Sequence, residues 1–302
     1  MIEAGQAYVV AFAAASYQYA LDYARERHQG RHPDQKDPTT PALPLIEHAD
    51  VRRMLLQQKS YVEGGQMLAY TAALLVDRQR DPDENLRRDS GLLLELLTPI
   101  VKAWLSDYAL RANDVAIQVL GGYGYTRDYP VEQCYRDNRI NPIHEGTNGI
   151  QALDLLGRKA LMHDGAALKL LGAQIAATCT AAAAHASLQA HAQQLGQKLL
   201  LVRDTVAAVG QRLAAGELRL GLANAHHFMH LLGHVTVAWC WLRMALTAQQ
   251  ALDAGSTDTA FYRGKLQTCR FFFATELPQV ELAAKLVASA ESSAFEMQDE
   301  WL

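Results

Sequence analysis

The chain has 302 residues, half of them hydrophobic and one fifth charged, enough to bury the core of one large domain or two ordinary ones. Nine prolines against 20 glycines, with that hydrophobic share, exclude disordered, collagen-like and low-complexity classes. With 28 basic and 32 acidic side chains the net charge is −4, which argues against nucleic acid or an anionic membrane surface as a partner.

The opening Met1-Ile2-Glu3 lacks the basic n-region of a secretory signal, so a cytoplasmic location is expected. A first helix is predicted from about Glu3 to Arg27, proline-free and alanine-rich, stopping near Gly30. Pro33, Pro38, Pro41 and Pro44 mark a surface loop between His28 and Leu45. Two long helices follow. One spans about Glu47 to Arg80, and the other runs from after Asp81-Pro82-Asp83 to Leu120, with a kink or restart expected at Thr98-Pro99. Leu105, Ala109, Ala112, Ala116 and Val119 form the apolar stripe of a bundle helix. Gly121-Gly122-Tyr123-Gly124-Tyr125 breaks it, a loop carrying Pro130 and Pro142 follows, and a helix is predicted from about Thr147 to Met162.

Beyond it lie an Ala/Gln/Leu-rich stretch over 165–216 and helices at about 219–254 and 257–288. Alternating β-branched runs are nearly absent, so the fold class is all-α: a helical bundle with a second helical layer. The domain boundary is placed near 162, giving 1–162 and 163–302. Residues 220–242 contain no Asp, Glu, Lys or Arg, but their histidines make a buried helix a better reading than a membrane span.

Chemistry belongs where helices stop, because a glycine-rich break exposes backbone N–H groups to a ligand. The break after Gln118 can cradle a phosphate or a flat ring, or simply end a helix; the strand that precedes a dinucleotide-binding loop is missing. Glu145, in Pro142-Ile-His-Glu-Gly-Thr-Asn-Gly149, precedes a helix. It is a candidate general base, which requires partial burial, a small neighbour such as Gly146 and a rigid mount. Alternatively it favours a helix N-terminus through the macrodipole. His226, His227, His230 and His234 include i,i+4 pairs, but no carboxylate or cysteine stands beside them, and a core or interface cluster is expected rather than a metal site. The four cysteines stand at least 29 residues apart, without zinc-site spacing. Trp239, Trp241, Phe261, Phe271, Phe272 and Phe273 are assigned to core or subunit packing.

Four motifs in order, Tyr23-Ala-Arg-Glu-Arg27, Gln118-Val-Leu-Gly-Gly-Tyr-Gly124, Tyr129-Pro-Val-Glu-Gln-Cys-Tyr-Arg-Asp137 and Ile143-His-Glu-Gly-Thr-Asn-Gly-Ile-Gln151, resemble the C-terminal helical domain of acyl-CoA dehydrogenases over about residues 3–160. The remainder resembles the extra C-terminal region of longer members. The resemblance implies FAD as cofactor, an acyl-CoA substrate, an electron-transfer flavoprotein as acceptor and a homo-oligomer. It makes Glu145 the base that removes the α-proton while the β-hydrogen leaves as hydride to the flavin. Arg27 matches the arginine reaching the FAD pyrophosphate of a neighbouring subunit. Gln118 and Gly122 match contacts to the adenosine half across that interface, and Thr147 and Gly149 match flavin-side contacts. The family's N-terminal helical domain and β-domain have no counterpart here, Met1-Ile2-Glu3 stands inside the helix that carries CoA contacts, and the chain reads as truncated. After Arg27 the family's Gln-aromatic-Gly is shortened to Gln29-Gly30. A noncatalytic helical oligomerisation or assembly module derived from the family is the alternative.

Overall fold

The structure, a computed structural model, describes Ile2–Leu302, with side chains from Tyr8 onward; the side chains that replace the CoA-contacting ones at Met1-Ile2-Glu3 lie outside the described residues. The protein is all-α, and among the described residues the β-pairing is a single isolated bridge, His28 to Pro44. The proline-free stretches become helices α1 (Ile2–Glu26), α2 (Ala49–Arg78) and α3 (Glu84–Leu120). α3 continues through Pro99 without a restart. The Thr98 hydroxyl there donates to the Leu94 carbonyl at 2.7 Å.

After Gly121 the chain forms one turn, α4 (Gly122–Tyr125), and then α5 (Val131–Asn138), where the sequence suggested only loop. Pro130 occupies the position before the first turn of α5, where a missing N–H costs nothing, so it starts the helix instead of preventing one. Val131, Cys134 and Asn138 then fall on its buried face. α6 (Asn148–Asp154) passes directly into a π-helical turn, Leu155–Lys159. α7 (Met162–Ala183) carries left-handed residues at His163, Asp164 and Gly165 and is regular beyond them. The remaining helices are α8 (Gln189–Ala214), α9 (Leu218–Leu222), α10 (Ala225–Asp253), α11 (Thr259–Phe271), α12 (Val280–Ser289) and α13 (Ser293–Glu296), with a second π-turn at Phe272–Glu276.

The chain forms two compact units, Met1–Gln66 with Leu105–His144, and Met67–Trp104 with Glu145–Leu302. In the first, Ala20 and Ala24 of α1, Met54 and Leu55 of α2, Ala116, Val119 and Leu120 of α3 and Val131 of α5 make one core cluster. A buried polar ladder crosses this unit. The Asn113 amide donates to Ser16 Oγ at 2.7 Å and to the Phe12 carbonyl at 3.1 Å, Asn138 donates to Asn113 Oδ1 at 2.6 Å, and Asn141 to Asn138 Oδ1 at 2.6 Å. Buried amides are tolerated because each has partners, and orphaning one costs about 1–3 kcal/mol. The ladder therefore fixes α1, α3 and α5 in one arrangement on either side of the glycine-rich break.

In the second unit α10 is the central helix, packed on α6, α7, α8, α11 and α12. It is long and apolar enough to cross a membrane, as is α7, yet 78% of its apolar window is buried within the protein, the buried helix expected. Gly233 lets α10 approach α3: a Cβ there would stand 2.7 Å from Trp104 Cδ1. Beside it the Trp104 indole donates to His234 Nδ1 at 3.2 Å, and Phe272 stacks on the same imidazole. His234 is thus a buried core histidine, with the His230 ring 4.2 Å away. Trp239, Trp241, Phe272 and Phe273 are buried as well, whereas Phe261 is exposed under the Lys265 ammonium. Phe261 stands exposed on the first turn of α11 and so is not a core residue.

Candidate functional site

The loop before α6 is built on unusual backbone. Glu145 has φ +56° and Gly146 φ +82°, two left-handed residues in succession. Gly146 occupies that region without cost, whereas a residue bearing a Cβ is strained there. The strain is offset by hydrogen bonds from the following turn. Gln151 Nε2 donates to the Glu145 carbonyl at 3.2 Å, and Thr147 caps α6 by accepting the Ile150 N–H at 3.4 Å. A Cβ at Gly146 would stand 3.1 Å from Gln151 Nε2, so the loop and the Gln151 amide are closely fitted.

Asn148, the first residue of α6, is buried. Its amide donates to the Ala103 carbonyl at 3.3 Å and accepts from Lys102 Nζ at 2.8 Å. Glu145 is exposed in this chain, as is Thr147, so the described residues do not supply the partial burial expected of a general base; a Cβ at Gly149 would meet nothing nearer than Thr147 Oγ1 at 3.9 Å. This part of the site therefore presents an acid, a hydroxyl and bare backbone on a braced turn.

The other sequence-predicted residues belong to the first unit. Arg27 follows the last residue of α1, and its guanidinium is exposed and forms no ion pair among the described residues. Gln118 is exposed on the last turn of α3. A Cβ at Gly121 or Gly122 would meet nothing within 4 Å, so the main chain there is open to a ligand. Gly124 is different: a Cβ would lie 2.5 Å from the Ile117 carbonyl oxygen, so close packing requires glycine.

Around the break Tyr129 meets Tyr23 and Tyr123 edge to face, with centroids 5.5 and 6.1 Å apart, and Tyr23 and Tyr123 lie tilted at 6.4 Å. Burial pushes the Tyr23 hydroxyl up from its ordinary pKa, and the Arg27 charge opposes that shift. An uncommitted guanidinium, an exposed amide and open glycine backbone are the groups that a flavin dinucleotide's phosphates and adenosine need, so the residues present fit FAD. Arg27, Gln118 and Gly122 belong to one unit, and Glu145, Thr147 and Gly149 to the other.

Sequence reasoning missed Lys102, Gln151 and the tyrosine trio. Lys102 carried one signal: it is a lone charge in the apolar run Pro99-Ile-Val-Lys-Ala-Trp-Leu105.

An all-helical chain with a Glu-Gly-Thr loop braced before a short helix defines the class, and the comparisons give the family. Residues 4–161 match the model of the acyl-CoA dehydrogenase C-terminal domain, and residues 171–298 match that of the acetyl-CoA dehydrogenase C-terminal-like region. The chain belongs to the acyl-CoA dehydrogenase family. It is 36% identical over 269 residues to 3-methylmercaptopropionyl-CoA dehydrogenase of Ruegeria pomeroyi, covering 87% of this chain and 44% of that protein. To the broad-specificity linear acyl-CoA dehydrogenase FadE5 of Mycobacterium tuberculosis it is 32% identical, covering 96% and 49%. Among solved structures, an acyl-CoA dehydrogenase complexed with FAD from Bacillus anthracis superposes with TM-score 0.71 at 18% identity, over 97% of this chain and 48% of that one. The chain spans about half the length of the curated relatives it matches.

Proposed function

We propose that this chain is the base-bearing helical portion of a cytoplasmic, FAD-dependent acyl-CoA dehydrogenase that works as a homo-oligomer and passes electrons to an electron-transfer flavoprotein. The observation that carries the reading is the Glu145 loop: a glutamate on strained backbone whose main-chain carbonyl accepts from Gln151, followed three residues on by Asn148, which is bonded to Ala103 of α3, with a glycine beside the glutamate to admit substrate. Residues 1–162 would supply the family's C-terminal bundle and 163–302 the added helical layer.

In the reaction Glu145 takes the α-proton of the acyl thioester, the electrons of that C–H bond become the new Cα–Cβ double bond, and the β-hydrogen leaves with its electron pair. The flavin, when bound, supplies the hydride acceptor. The chain's task is positioning, holding the carboxylate on a rigid mount in line with the Cα–Cβ bond. Thr147 and Gly149 would face the flavin ring, Arg27 would hold the pyrophosphate through its guanidinium, and Gln118 with Gly122 the adenosine half.

The test is Glu145→Gln in the flavin-loaded protein. Flavin absorbance is expected to persist while its bleaching by acyl-CoA is lost, by about 100-fold or more; bleaching at the parent rate refutes the role of Glu145. The exposure of Glu145 in this chain favours a second reading, a noncatalytic helical assembly module derived from the family. Colourless protein that cannot take up FAD, even when supplied with the portion its relatives carry ahead of this region, would decide for that reading.

A further inference from the structure

Lys102 has no part in the reaction as derived above, yet it is one of the few buried charges among the described residues. It sits on α3 in a run, 100–106, in which every residue is buried. Desolvating an ammonium is costly unless polar groups replace the lost water, and one of those groups is the Asn148 side-chain oxygen, 46 positions on in sequence and 2.8 Å from Nζ. Asn148 in turn donates to the Ala103 carbonyl, so a single amide is gripped by two consecutive residues of α3. That segment of α3 is itself fixed. Trp104 fills the notch left by Gly233 of α10 and hydrogen-bonds His234.

Three residues before Asn148, Glu145 holds a left-handed backbone that survives only where its surroundings over-determine it. Gln151 pins its carbonyl from the C-terminal side. The Lys102–Asn148 and Asn148–Ala103 bonds are the brace that ties the start of α6 to α3.

We propose that Lys102 is a positioning residue for the candidate base: acting through Asn148, it holds the start of α6 against α3 and thereby keeps Glu145 in its left-handed setting. The inference rests on the reading of Glu145 as the base, but the brace can be measured separately.

The experiment compares Lys102→Met, Asn148→Ala and the double variant, with Glu145→Gln as control. Methionine keeps the stem length and removes the buried charge; should it fail to fold, Asn148→Ala carries the test alone. Hydrogen exchange in the full chain is expected to rise about tenfold or more over residues 143–152 in each variant while α10 stays protected. In the flavin-loaded protein, flavin reduction is expected to slow by about 10- to 100-fold, with substrate affinity within about twofold of the parent. Because the lysine acts through the amide, the double variant is expected to be no slower than the worse single one.

Unchanged exchange over 143–152, or fully additive losses in the double variant, overturns the proposal. If Glu145→Gln still reduces flavin at the parent rate, the base reading falls while the exchange data still judge the brace. If Glu145→Gln is dead and Lys102→Met matches the parent in both rate and exchange, the base stands and the brace falls.

Discussion

At the scale of single residues, Glu145 sets function against stability. Its φ of +56° is a setting in which glycine is at ease and glutamate is not. Glu145→Gly is therefore expected to stabilise the fold by about 0.5–1 kcal/mol, the relief of left-handed strain less the extra freedom glycine gains in the unfolded chain. Flavin reduction is expected to disappear. Urea unfolding checks the first half; a loss of stability would mean that the glutamate side chain holds the loop instead of being held by it. The carboxylate was legible in the sequence because its motif is local, four residues from Glu145 to Asn148. Lys102 was not, because a lone lysine in an apolar helix reads the same whether its ammonium snorkels to water or meets an amide 46 residues away.

At the scale of elements, the π-turn Phe272–Glu276 packs on α8, where Gln194 Nε2 donates to the Phe273 carbonyl at 3.0 Å and the His191 ring meets Phe273 edge-on at 4.9 Å. His191 Nδ1 is buried with no hydrogen-bond partner among the described residues. Burial pulls the His191 pKa below its ordinary value, and the nearby Arg270 charge pulls it the same way. The sign follows from proton counts. Below the unfolded value of about 6.5 the unfolded chain binds a proton that the folded chain refuses, so stability falls as pH drops from about 6.5 toward the lowered folded value. His227, lowered by burial and then by His226, adds in the same direction.

Thermal unfolding between pH 8 and 5 is expected to show this loss, and His191→Phe is expected to reduce it, with stability at pH 7 unchanged or higher. Equal slopes for the two proteins would remove His191 as the cause. The long helices were readable from periodicity, but the expected helix 219–254 breaks at Ala223-Asn224 into α9 and α10, the expected helix 257–288 divides into α11 and α12, and the π-turns were not readable. A π-turn adds one residue to a helix without requiring a breaker residue: Phe272–Glu276 contains neither proline nor glycine, and Leu155–Lys159 contains no proline and one glycine, Gly157. α5 was hidden for the opposite reason: Pro130, a breaker inside helices, here begins one.

At the scale of the whole molecule, the two groups of candidate residues belong to different compact units, Arg27, Gln118 and Gly122 in one and Glu145, Thr147 and Gly149 in the other. Under the proposed arrangement the first group serves the flavin of a neighbouring copy, and no chain completes a site alone. That has a consequence in mixed assemblies. Arg27→Ala alone is expected to weaken FAD retention more than it slows proton abstraction, and Glu145→Gln alone to retain FAD without reduction. In a symmetric pair built from one copy of each, one site combines both defects. The other combines the intact Glu145 of the first chain with the intact Arg27 of the second. Random pairing makes half of the assemblies mixed, with one of two sites whole. Co-expression at limiting FAD is therefore expected to recover about a quarter of parent activity from two variants that have almost none separately. Titrating FAD absorbance against acyl-CoA reduction in the co-purified mixture reads the result. No recovery, with mixed assemblies verified by mass spectrometry, would place Arg27 and Glu145 in the same chain's site or remove Arg27 from it.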